Sequence, residues 1–93
     1  MNYTNVSVVV VTLTTNTIQY DITVPPNTGK IVVQGRANDV KIAFADGDIA
    51  GGNFTLAKAA LAPRDFGHMA VAPATLFLGS ATSGAVAEIT FFA

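Results

Sequence analysis

The chain has 93 residues, no cysteine, five basic and six acidic side chains, and a formal net charge of −1. Without cysteine there is no disulfide framework, no thiolate chemistry and no cysteine-ligated zinc site. Without a basic run there is little to hold nucleic acid or an anionic membrane surface, both of which recruit clustered Lys and Arg.

The charge content is low. Charged residues make 12% of the chain, against roughly 25% in ordinary soluble domains. Hydrophobic residues make 51% and mean hydropathy is +0.48. A folded monomer of this mass exposes on the order of 5,000 Å², and few ionic side chains are available to dress it. A coat of Thr, Ser, Asn and Gly on a monomer is one solution. Burial of part of the surface in an assembly is the other, and the expected one, because large exposed apolar patches mark interfaces.

At this length the expectation is one β domain, residues 1–93. Val6–Leu13, VSVVVVTL, is β-branched and reads as a strand. It is too short to cross a bilayer and lacks the flanks of a secretory signal. Thr17–Val24 alternates, with Ile18, Tyr20, Ile22 and Val24 on one face. A tight turn at Thr15-Asn16 would join the two runs as a hairpin. Leu13, Val11 and Val9 would then face Ile18, Tyr20 and Ile22, and Val6, Val8 and Val10 would form a second apolar stripe on the opposite face. Such a stripe implies burial on both faces or contact with another chain. A subunit contact through these three valines is the favoured expectation.

Pro25-Pro26-Asn27-Thr28-Gly29 is a turn. Gly29-Lys30 lacks the distant glycine and the following Ser or Thr of a phosphate loop. Lys30–Ala45 reads as two alternating strands about Ala37-Asn38-Asp39. As a hairpin it would place Ile42 opposite Gly35, and Arg36 opposite Lys41. Like charges directly across a sheet repel, so the pair would need an intervening carboxylate, an acidic partner surface or solvent. Arg36 and Lys41 are therefore a lesser candidate contact.

Ala45–Asn53 reads as a loop. Asp46, Asp48 and Asn53 offer oxygens but not the six or more ligands and closing Glu of a calcium loop, so no metal is expected. Phe54–Leu56 reads as a short strand, Lys58–Ala62 as a possible helical turn ended by Pro63, Pro63–Gly67 as a loop and His68–Val71 as a short strand. His68, the single histidine, has no nucleophile or orienting pattern around it. Thr75–Leu78 and Ala85–Phe92 are strands about a Ser80–Gly84 turn. In the last strand Ala85, Ala87, Ile89 and Phe91 alternate with Val86, Glu88, Thr90 and Phe92. The N-x-[ST] triplets at Asn2, Asn5 and Asn53 carry little weight without a secretory signal.

Six to eight short strands with closely spaced turns predict an all-β, antiparallel β-sandwich, jelly-roll-like or immunoglobulin-like. No catalytic constellation and no cofactor site can be assembled from these residues.

The runs PPNTGKIVVQGR, DVKIAF, GGNFTLAK and TLFLGSATSGAVAEITFF resemble small accessory virion proteins of tailed bacteriophages, over about the last three-quarters of the chain. The resemblance implies a cysteine-free structural β domain of the virion that decorates a capsid, joins head to tail or sits at a fibre base. It implies no catalytic residues. The expected function is a capsid decoration or cement protein, binding the major capsid protein or other virion proteins and its own copies. The alternatives are a head-to-tail or fibre-base component, a receptor- or carbohydrate-binding module, and an enzyme subunit.

Overall fold

In the computed structural model, residues 4–16, 18–58, 63–70 and 73–93 are described. Eight strands, β1 (Val6–Leu13), β2 (Tyr20–Thr23), β3 (Lys30–Ala37), β4 (Val40–Ala43), β5 (Thr55–Ala57), β6 (Arg64–His68), β7 (Thr75–Gly79) and β8 (Ala85–Phe92), follow one another, with one short helix, α1 (Asp48–Gly51), between β4 and β5. The strands form two four-stranded antiparallel sheets, ordered β1-β8-β3-β6 and β2-β7-β4-β5. Those orders are the double Greek key of a jelly roll. An immunoglobulin sandwich divides its strands differently, so of the two expected sandwiches the chain adopts the first.

Period-two patterning builds the core. In β8, Ala85, Ala87, Ile89 and Phe91 are buried and the residues between them are half-buried. In β3, Ile31, Val33 and Gly35 point the same way. Leu13 of β1 joins them, and across the sandwich they meet Val40, Ile42, Ala57, Leu76 and Leu78. A smaller cluster, Ala43, Ile49 and Phe77 with Phe54, seals the end under α1.

Two expected hairpins are not formed. β1 pairs with β8, not β2, and β2 pairs with β7. β3 pairs with β8 and β6, while β4 lies in the other sheet against β5 and β7. The Asn38-Asp39 connection therefore turns a corner between sheets. Asn38 takes the left-handed conformation (φ 63°) that the corner needs and that Asn tolerates. Ile42 faces Thr55 and Leu78, not Gly35.

Two loop expectations also change. The 45–53 segment contains α1, entered through Gly47 and left through Gly52, both at positive φ. Arg64–His68 is an edge strand on β3, although its charged residues hide any alternation. All but Lys58 of the helical turn expected at 58–62, and the end of the strand expected at 68–71, fall outside the described residues.

Candidate functional site

The outer face of the β1-β8-β3-β6 sheet follows from the register. Val6, Phe92 and Lys30 form one cross-strand row; Val8, Thr90 and Val32 the next; Val10, Glu88 and Gln34 the third; Thr12 and Val86 the fourth. Side chains two apart share a face, so every member of these rows lies on the side away from the core. Val6, Val8 and Val10 expose 59, 54 and 49% of their surfaces. The predicted second stripe is thus present, and no described residue of the same chain covers it.

Charge on this face is absent from β1 and begins at Glu88 of β8, beside Val10. Lys30 pairs with Asp65 of β6 at 3.0 Å, its Nζ also 5.2 Å from the centre of the Phe92 ring. Arg36 donates from Nε to Glu88 Oε2 at 3.0 Å. The Gly67 N–H (2.8 Å) and then Lys30 hold the Asp65 carboxyl below its ordinary 3.8. The face is therefore uncharged along β1 and ion-paired from β8 across β3 to β6.

Arg36 and Lys41 are not brought together. They sit on different sheets, and Lys41 Nζ lies 4.8 Å from the centre of the Phe54 ring. The like-charge conflict belonged to a hairpin that does not exist, and Arg36 meets a carboxylate of its own chain instead. Val32, Val86 and Phe92, which extend the valine stripe across the sheet, escaped notice. Their signal was present: each is apolar on the non-core phase of its strand.

The Lys41–Phe54 contact borders a cleft of about 370 Å³, lined also by Asn38, Asp39, Leu56, Ser80 and Thr82. Ser80 is fully engaged at its base, donating to the Asp39 carbonyl at 2.8 Å and accepting from the Thr82 N–H at 3.1 Å. Asp46, once a possible oxygen ligand, accepts from Gln19 Nε2 at 2.8 Å, and Gln19 Oε1 accepts from the Gly47 N–H at 3.0 Å. This amide thus pins the α1 loop to the residues preceding β2. Among the described residues no three of His, Asp and Glu gather as a metal site.

At the β1–β2 corner, Tyr20 Oη lies 3.2 Å from Thr14 Oγ1 and accepts from the Thr15 N–H at 3.0 Å. These bonds, the Thr14 one foremost, hold the phenol below its ordinary pKa of 10.0. Both contacts are clasps that hold a loop in place.

The chain matches no known protein-family model, no curated protein and no solved structure.

Proposed function

We propose that the protein is a non-enzymatic structural component of a virion, a capsid decoration or cement protein that docks through the outer face of its β1-β8-β3-β6 sheet. The observation that carries the reading is the exposed stripe of Val6, Val8 and Val10 in a chain with so few ionic groups. Apolar surface of this kind is driven out of water by about 25 cal/mol per Å², and no described residue of the monomer covers it. Jelly rolls serve in capsids, lectins and cupins alike, so the fold alone does not choose among functions. The resemblance to accessory virion proteins of tailed phages supplies the setting. On a shell, a modest contact repeated at each symmetry-related site clamps the lattice through effective concentration rather than through strength at any one site.

The test is location. Particles of the phage encoding the chain are purified, and their proteins identified by mass spectrometry and particle maps. The expected result is a density for this fold on the shell with the valine face covered, and loss of that density when Val32→Lys and Val86→Lys are combined. Particles that lack the protein, or carry it with Val6, Val8 and Val10 turned to solvent, would sink the proposal.

A second reading, a glycan-binding module, is favoured by the cleft beside Phe54. Lys41 already lies over that ring, where a sugar would stack, which ranks this reading below the first. Binding on a glycan array that disappears with Phe54→Ala would reverse the order.

A further inference from the structure

The sandwich has four edge strands, and three are protected in the usual ways. β2 has four residues including Asp21, β5 has three residues, and β6 carries Arg64, Asp65 and His68. Short length and charge are how natural sheets discourage pairing at an edge. β1 has neither. It is eight residues long, uncharged, free of proline and paired in unbroken register with β8.

The open side of β1 can be read from its closed side. Asn5 and Ala93 exchange both backbone bonds, at 2.9 and 2.8 Å. In an antiparallel ladder such pairs recur at every second residue, so Ser7, Val9, Val11 and Leu13 direct their N–H and C=O groups to β8. Val6, Val8, Val10 and Thr12 direct theirs away, toward a side on which no described strand lies. The residues with unpaired backbone groups are the same ones whose side chains form the apolar stripe.

We propose that β1 pairs antiparallel with β1 of a second copy of this chain about a two-fold axis through Val9. This deepens the assembly reading above and rests on it. In that register Val6 faces Thr12 of the second copy, Val8 faces Val10, and all four open residues are paired. Val9 meets its own symmetry mate at a position where side chains lie closest. A shift of one step along the ladder leaves Val6 or Thr12 unpaired.

The charge pattern points to a second copy rather than a charged partner. The twofold sets uncharged β1 against uncharged β1, leaves the Lys30–Asp65 pair on the outer flank, and keeps Glu88 of β8, beside Val10, paired with Arg36 of its own chain. Val9 points inward yet is 38% exposed, and the symmetric contact covers it. Edge pairing covers the flank of β1 and leaves the outward faces of its valines open, so the seam buries less than the roughly 1,000 Å² of a specific interface and the contact is a weak one. The product is a continuous eight-stranded sheet, β6-β3-β8-β1 joined to its mate, with six outward valines in one central band.

Sedimentation equilibrium of the full chain from about 1 μM to 1 mM tests this, since a seam below that area gives a modest affinity. The wild type is expected to dimerise within that range. Val8→Pro removes only an N–H on the open side and leaves the β8 ladder intact, and is expected to weaken the dimer at least tenfold. Val9→Cys gives a single thiol in a chain with no other, so oxidation is expected to yield one covalent dimer with native circular dichroism. A wild type that stays monomeric at 1 mM, a dimer indifferent to Val8→Pro, or a Val9→Cys chain that does not cross-link would each overturn the pairing. A monomer still found on particles overturns the pairing alone; a dimer absent from particles overturns the virion reading alone.

Discussion

Ile49 occupies the space a side chain on Gly79 would need: a Cβ at Gly79 would lie 2.6 Å from Ile49 Cγ2. That methyl is a branch close to the α1 backbone, not the flexible end of a long chain, so it cannot swing aside. Gly79→Ala is expected to push α1 off β7 and cost about 1–3 kcal/mol, the usual range for overpacking. Ile49→Ala removes the obstructing methyl. In denaturant unfolding, the double variant Gly79→Ala/Ile49→Ala should be less destabilised than the sum of the two single variants. Strict additivity would show that the two do not touch in solution.

The two faces of the β1-β8-β3-β6 sheet should respond differently to the same kind of change. Ile89, fully buried between Val9 and Val33, is expected to cost about 2–5 kcal/mol when truncated to alanine. Val8→Thr, on the outer face, keeps the shape and β-branch and should stay within about 0.5 kcal/mol. Thermal and urea unfolding of both variants check the face assignment without reference to any partner.

Asp65 makes acid stability partly local. Its carboxyl is held below its ordinary 3.8 by the Gly67 N–H and by Lys30, so the folded state binds the ionised form more tightly than the unfolded state does. The stabilisation is present in full above the ordinary value and is lost as pH falls through the lower, folded one. The stability difference between wild type and Asp65→Asn should therefore shrink below about pH 4. A carboxyl-detected NMR titration should find Asp65 ionised at a pH where an ordinary aspartate is half protonated.

Tyr20 should titrate early. The bonds from Thr14 and Thr15 favour its phenolate. In a Tyr3→Phe background, absorbance at the phenolate band should rise below the ordinary 10.0, and Thr14→Val should move the midpoint back up. Because the folded value is the lower one, this linkage adds stability only as pH rises through the folded value toward the ordinary one, and contributes nothing near neutrality.

Arg36 and Lys41 should act independently. Arg36 pairs with Glu88 and Lys41 lies over Phe54, with no shared partner. Each exposed contact is worth less than about 1 kcal/mol, and Arg36→Gln combined with Lys41→Gln should be additive within about 0.5 kcal/mol.

Which side of each strand meets the core was legible in the sequence; which strand lies beside which was not. Val11 and Leu13 point inward, and Val6, Val8 and Val10 outward, as their alternation requires. The expected partner of β1 was nevertheless wrong. Period two reports only in or out, and β1 and β2 contribute inward residues to one core from opposite sheets, so a corner and a hairpin leave the same pattern. One clue separated the two topologies: the hairpin forced Arg36 against Lys41, a repulsion that the true pairing replaces with Glu88. β6 was missed because Arg64, Asp65 and His68 give an edge strand no apolar period to read. Of the candidate site, the valine stripe was visible directly. Its continuation through Val32 and Val86 needed the register with β8 and β3, which no single strand encodes.

The placement of β8 between β1 and β3 also sets an order of events. Val6 pairs with Phe92, and Ile31 with Phe91, so β1 has no neighbour, and β3 only β6, until β8 has left the ribosome. A nascent chain halted before β8 would carry a bare valine strand with both edges unsatisfied, the kind of segment that aggregates or recruits a chaperone. Closure of the sandwich would then wait on β8, even though every strand of the β2-β7-β4-β5 sheet precedes it.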